Sequence, residues 1–275
     1  MLADFFATAR ERERIRLSRE AGQPAPWTED PILANFYFCN VRREDDRTTR
    51  WLRELTTELM ARNATASHII KAVTGFRWFN RIETGERIRH ILLKQGWNEA
   101  GVRKALAGGG QLWSGAYIIM PAPGKAMPKM DGVCACMAAL DSQAVARVAS
   151  GRDSLEQTWL KLREYPGMGP FMAYEVISDL RWTMVLRGAT DIHSWANPGP
   201  GCVRGLQWVF EEKFNRTNPR TLAAMRDLLA HSRREEHWPA DWPAWEMREV
   251  EHWLCEYDKI RRGRQGSHLK RRYRP

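Results

Sequence analysis

No apolar run in the 275 residues approaches the roughly 20 needed to cross a bilayer. The opening stretch, Met1 to Ala9, is short, carries Asp4 and lacks a basic start, so it does not read as a secretory leader. A cytoplasmic protein without a membrane partner is predicted, in the host cytoplasm if the chain is viral. Cysteine is sparse: Cys39, Cys134, Cys136, Cys202 and Cys255 are odd in number and scattered, which excludes a disulfide framework and suits a reducing compartment. Cys134-Ala135-Cys136 is a poor two-ligand clip, and no further Cys or His cluster completes a zinc or iron–sulfur site. Buried thiols and no metal ligands are the expectation. A phosphate-binding P-loop is also missing, because Gly124-Lys125 is followed by Ala126 and lacks the upstream glycine. ATP-dependent phosphorylation is not predicted for this chain. Strand signals are nearly absent, with only Ala116 to Met120 resembling one.

What is present is helical and basic. Apolar residues make up 43% of the chain, enough for a proper core in one large domain or in two lobes around a cleft. Thirteen tryptophans suit a core in which one side chain packs, stacks and donates a hydrogen bond. The formal charge is +10, and the run from Lys259 onward holds eight Lys or Arg and no acid, so 10 minus 8 leaves +2 for the rest. That run reads as a flexible arm gaining affinity for a polyanion by counterion release, with Arg261, Arg262, Arg264, Lys270, Arg271 and Arg272 as phosphate contacts. The N-terminal RERERIRLSRE alternates signs at helical spacing and reads as a solvated helix face.

Helix starts are predicted at Asp30-Pro31, with a helix through Phe38, and at Asp46; later ones lie near Ser67, Thr84, Asn98, Ser142, Ser154, Pro170, Pro200, Asn218 and Asp241. The breaks at Ala107 to Gly110 and at Pro121 to Gly132 divide the chain into an N-terminal helical lobe (1–130), a helix-hairpin-helix lobe (131–258) and the basic tail (259–275). The predicted fold class is all-α and two-lobed.

Three segments carry candidate chemistry. In LREYPGMGPFMAYEVISDL, Gly167, Met168 and Gly169 form a tight turn between two helices, and backbone N–H groups at a helix start suit a DNA phosphate. Downstream, Asp191 is a loop carboxylate that either accepts a proton or caps a helix, with His193 beside it. Gly199 and Gly201 open another helix as a second anion cradle, and Arg204 follows one turn inside. Finally, Phe36 and Phe38 run into Asn40, Arg43 and Asp46, a vocabulary repeated by Arg77 and Asn80, where a base edge and a phosphate can be read together. The plainer reading of those polar groups is a network bracing the lobes.

As an ordered set, these motifs resemble the alpha-glutamyl/putrescinyl thymine pyrophosphorylase family of bacteriophages, the amino acid:DNA transferases. The matching segments are aromatic-x-aromatic-x-Asn-x-x-Arg-x-x-Asp (Phe36 to Asp46), Arg-x-Phe-Asn (Arg77 to Asn80), Gly-x-Gly-x-Phe (Gly167 to Phe171) and Gly-Pro-Gly-x-x-x-Gly-Leu (Gly199 to Leu206). The resemblance runs from about Trp27 to Val209. It implies a fold like helix-hairpin-helix DNA glycosylases, and relatives of the same helical module occur with hydroxymethyluracil DNA kinases. The hairpin lacks the lysine of bifunctional glycosylases and the cysteines of an iron–sulfur site, so base excision is not supported.

The implied reaction acts on double-stranded DNA bearing 5-pyrophosphoryloxymethyl-uracil. A free amino acid, glycine being the expectation, or a polyamine displaces pyrophosphate at the exocyclic carbon. On this reading Asp191 is the base, and Asn40, Asp46 and Asn80 hold the substrate. Arg43, Arg77 and Arg204, with a divalent cation such as Mg2+ as an optional aid, meet the leaving group. A monofunctional glycosylase and a non-catalytic DNA-binding protein are the alternatives.

Overall fold

A computed structural model describes residues 1–115, 127–269 and 272. Among these the chain forms thirteen α-helices, one 3-10 turn and no strand, the sole β contact being a bridge between Phe36 and Arg272. The all-α prediction holds; the strand-like residues 116–120 lie outside the described residues. No described helix is long and apolar enough to cross a membrane. Internal contacts divide the chain into a first unit, Met1–Asp46 with Ile192–Pro275, and a second unit, Arg47–Asp191.

The first unit opens with α1 (Leu2–Glu20) and α2 (Pro31–Asn35). Phe5, Phe6, Ala9 and Ile15 give α1 its apolar face. Its charged stretch is not simply solvated, however. Arg12 and Glu13 are buried: Arg16 pairs with Glu20 (2.6 Å) and Glu13 along the helix and with Asp45 (3.6 Å) beyond it, while Arg12 reaches Asn40 (2.5 Å), so these charges are compensated. Asp30 caps α2 by accepting from the Ile32 and Leu33 amides (2.8 and 3.1 Å), with Pro31 preset in the first turn. This helix stops short of the predicted Phe38, since Phe36 is already extended.

The second unit contains α3 (Arg47–Ala61), α4 (Ala66–Phe79), α5 (Ile82–Gln95), α6 (Glu99–Leu106), α7 (Lys129–Ala139), α8 (Ser142–Arg152), α9 (Leu155–Leu162) and α10 (Pro170–Leu180). Thr65, Asn98, Asp141 and Ser154 cap their helices through side-chain oxygens, which is why polar residues before apolar periods located these starts. Helix α4 is the axis of the unit: Ile69, Ile70, Val73, Phe76 and Phe79 are fully buried, and α3, α5, α7, α8 and α10 pack around it. The boundary predicted near residue 130 therefore falls in α7, which packs on α4.

Helices α9 and α10 are joined by the predicted glycine turn. Gly167 has φ +75°, and a Cβ there would lie 2.6 Å from the Cys136 sulfur, so glycine is required on both backbone and packing grounds. Trp159 Nε1 donates to the Pro170 carbonyl (2.9 Å) and fastens the two helices.

The chain returns to the first unit with α11 (Pro200–Phe210), α12 (Pro219–His231) and α13 (Met247–Arg264). Helix α13 is the axis here, packing on α1, α2, α11 and α12. It starts after the predicted Asp241, because Pro243 interrupts and a Glu246/Glu249 capping box sets the first turn. Trp245, Trp253 and Tyr257 bury against Phe5 and Phe6, so helices from opposite ends of the sequence share one aromatic core. Helix α13 also continues through Arg264, and the basic tail therefore begins as helix.

Candidate functional site

Within the first unit, the extended segment after α2 runs between α1 and α13, and two features meet along it. One is a cavity of about 400 Å³ whose lining includes Trp27, Phe36, Tyr37 and Phe38 with Arg12 and Arg19. Aromatic walls with cationic edges suit a planar, polar-rimmed ring. Arg19 already lies over the Trp27 ring at 5.3 Å. Arg12 is 6% exposed; its Nη2 donates to the Asn40 side-chain oxygen (2.5 Å) and the Phe38 carbonyl (3.3 Å). Its buried Nη1 has no hydrogen-bond partner among the described residues. Burial pulls this guanidinium below its usual range, while nearby Asp46 opposes the shift. A buried cation with a spare donor is a demand for an acceptor oxygen.

The second feature is a polar cluster beside that cavity. Asp46 Oδ1 accepts from the Asn40 amide (3.0 Å), and the Asn40 side-chain N–H donates to the Asp45 carbonyl (2.8 Å). Asn40 thereby locks the loop that carries the 3-10 turn Arg43–Asp45. His252 Nε2 stands 3.7 Å from Asp46 Oδ2. One turn along α13, Glu256 accepts from the Cys39 amide (3.2 Å) and from Lys259 (2.5 Å). Burial raises the Asp46 carboxyl above its ordinary value, against the pull of His252, the Asn40 amide and Arg43. Burial, then Glu256 and Asp46, push the Cys39 thiol well above its ordinary value. Cys39, Asp46 and His252 are the one group of three metal-capable side chains among the described residues. With a single oxygen donor, it does not suit Mg2+, which takes oxygen ligands.

Of the predicted residues, Asn40, Arg43 and Asp46 come together in this cluster. Arg12, Cys39, His252 and Glu256 join them unpredicted. The signal for the α13 members was faint, because the spacing His252, Glu256, Lys259 lies on one face of a helix that is rich in charged residues throughout. Arg12 had none, because its charge is hidden in an alternating-sign stretch.

The remaining predicted residues are committed elsewhere. In the second unit, Arg77 is 1% exposed and bonds Asp179 through both Nε and Nη2, the latter at 2.7 Å; it also bonds the Asn80 side-chain oxygen (2.7 Å) and Thr49 Oγ1 (3.1 Å). This buried bracket ties α3, α4 and α10, so Arg77 and Asn80 take the bracing role rather than holding a leaving group. Asp191 takes the capping role: its carboxylate accepts from Leu155 N (2.7 Å), Glu156 N (3.0 Å) and Ser154 Oγ (2.8 Å) at the start of α9. Met168 is buried beneath the hairpin turn, while Gly169 begins α10 in open space.

In the first unit, the predicted second anion cradle is already filled by an acid, since the Gly199 amide donates to Glu251 Oε1 at 3.2 Å. Gly201 serves helix packing, a Cβ there meeting the Cys255 sulfur at 2.5 Å. Arg204 and Arg262 share the buried Asp258 (3.0 and 3.2 Å), Arg261 binds Asp4 (3.2 Å), and Arg264 binds Asp30 and Asp4 (2.7 and 3.0 Å). Arg204, Arg261 and Arg264 fasten α13 to its neighbours, and Arg262 pairs within the helix, so the described arginines of this stretch do not form a free arm. Arg272 is exposed, while Lys270 and Arg271 lie outside the described residues.

A family model described as 5-hmdU DNA kinase, helical domain, matches residues 1–268, and the chain belongs to this family. A 5-hmdU DNA kinase of Bacillus phage SP10 is 24% identical over 280 aligned residues, covering 93% of this chain and 44% of that protein. The chain thus spans less than half the length of that relative. No solved structure matches.

Proposed function

We propose that this member of the family is a phage DNA thymine-hypermodification transferase acting on DNA that carries 5-pyrophosphoryloxymethyl-uracil. The carrying observation is the aromatic cavity with the two arginines Arg12 and Arg19 in its lining. A pyrimidine swung out of the stack exchanges its stacking partners for Trp27 and the Phe36 to Phe38 segment, offsetting an unstacking cost of a few kcal/mol. Arg12 then donates to a ring carbonyl or a phosphoryl oxygen. Asn40 holds Arg12 and Asp46 in register from the opposite side.

In the reaction, a new bond forms between the amine nitrogen and the exocyclic carbon as the bond from that carbon to the diphosphate oxygen breaks. Pyrophosphate leaves with the electron pair, and the nitrogen gives its proton to the departing pyrophosphate or to solvent. An amino acid, with glycine as first candidate, or a polyamine supplies the nitrogen. Family membership supports a modified uracil in DNA as substrate. Enclosure of the ring keeps water from taking the amine's place.

A second reading, a base-recognition module without its own chemistry, is favoured by one observation: the carboxylate expected to act as base, Asp191, is engaged by three donors of α9. Incubating the protein with pyrophosphoryloxymethyl-uracil DNA and single amines, then digesting to nucleosides for mass spectrometry, separates the readings. A new amino-substituted nucleoside supports the transferase, and loss of it in Arg12→Met places the reaction at this cavity. An abasic site points to a glycosylase. Tight binding with unchanged DNA leaves the recognition module.

A further inference from the structure

We infer that Cys39, Asp46 and His252 form a binding site for a borderline-soft divalent cation, with Zn2+ as the reference ion. The donor atoms of the three side chains lie within 4.8 Å of one another, all in the first unit. His252 Nε2 is 3.7 Å from Asp46 Oδ2, too far for a hydrogen bond. That distance is close to the edge between two ligand atoms sharing one tetrahedral ion, about 3.3–3.6 Å for bonds of about 2.0–2.2 Å. The His252 nitrogen is also buried without a hydrogen-bond partner among the described residues. An imidazole in this position lacks an acceptor or an ion, and a carboxylate oxygen and a thiol already face it.

The surroundings complete the argument. Asp46 spends Oδ1 on the Asn40 amide, which orients Oδ2 toward His252, as outer-shell hydrogen bonds orient ligating carboxylates. Asn40 is held in turn by Arg12 and the Asp45 carbonyl. A thiolate, a carboxylate and a neutral imidazole around a dication sum to zero charge, the state that a partly buried site tolerates best. Of the nearby cations, Lys259 is paired with Glu256, and Arg43 and Arg12 act on both Asp46 and Cys39. Sulfur, nitrogen and oxygen donors together select zinc-like ions over Mg2+ or Ca2+. Three protein ligands leave a position for water or an exogenous oxygen. The inference is independent of the transferase reading.

The test is cobalt and zinc titration of the full chain after chelator treatment and buffer exchange. One equivalent of Co2+ is expected to produce a thiolate-to-metal charge-transfer band with the intense visible bands of tetrahedral cobalt, and one equivalent of Zn2+ to bleach both. Cys39→Ser is expected to abolish the charge-transfer band. His252→Gln and Asp46→Asn are expected to remove stoichiometric binding, and Asn40→Ala to weaken it by roughly 10–100-fold. Cys255→Ser and Cys134→Ser should titrate like wild type, and far-UV circular dichroism checks that each variant is folded. Absence of a one-equivalent endpoint in the folded wild-type protein overturns the inference. So does an unchanged cobalt spectrum in folded Cys39→Ser, the near-isosteric variant that carries the test if His252→Gln does not fold.

Discussion

Replacing Asp179 by Asn keeps the shape of the side chain on α10 and removes the charge that Arg77 binds through two nitrogens. Both groups are almost wholly buried, at 1% and 3% side-chain exposure, so solvent cannot substitute for the lost carboxylate. Leaving one charge of such a pair uncompensated costs about 3–5 kcal/mol. The second unit, Arg47–Asp191, is near the size at which each kcal/mol moves the melting temperature by a few degrees, so the expected drop is roughly 6–20 °C. Urea denaturation followed by tryptophan fluorescence and far-UV circular dichroism measures the change. The double variant Arg77→Met, Asp179→Leu replaces the pair by apolar groups of similar volume and is expected to recover most of the loss. A single variant that unfolds at the wild-type urea concentration would refute the bracket and return Arg77 to the list of substrate contacts.

Three further outcomes are expected. Asp191→Ala should destabilise by about 0.5–2 kcal/mol through loss of the α9 cap, whereas Asp191→Asn, which keeps an acceptor oxygen, should cost less and retain turnover; a stable Asp191→Asn protein with abolished turnover would assign it proton transfer instead. Gly→Ala within a helix ordinarily gains up to about 1 kcal/mol. In α11, however, a Gly205 Cβ collides with the Leu254 carbonyl of α13, so Gly205→Ala is expected to lose about 1–3 kcal/mol. Gly151→Ala in α8, facing open space, is the control, and equal denaturation midpoints for the two variants would contradict the close helix approach. Burial alone would raise the Asp4 carboxyl, but hydrogen bonds from Tyr257, Arg264 and Arg261 hold it below its ordinary value. Its stabilising contribution is therefore complete above about pH 4 and is lost as pH falls through the lower folded-state value. Asp4→Asn should flatten the acid limb of stability against pH, and an unaltered limb would place the acid sensitivity elsewhere.

Local rules made much of the helical order legible before any coordinates. Asn98, Ser154, Pro170, Pro200 and Asn218 mark helix starts because a cap or a proline acts over one turn, and Gly167 announced a left-handed turn that only glycine fits. The ordered motifs from Phe36 to Leu206 were likewise readable as a resemblance to phage DNA-modifying proteins, and the family match supports that coarser reading.

Residue type and spacing fixed helix, turn and charge, since those depend on neighbours three or four positions away. They could not say which charges meet, because that depends on contacts between residues up to 260 positions apart, such as Asp4 with Arg264. Tertiary packing turned the arginines of α13 into ties, Asp191 into a helix cap and Arg77 into a buried bracket. It also brought Arg12, Cys39 and His252 to Asn40 and Asp46. A buried polar group needs a partner wherever the fold can supply one, and only the folded chain shows which partner that is.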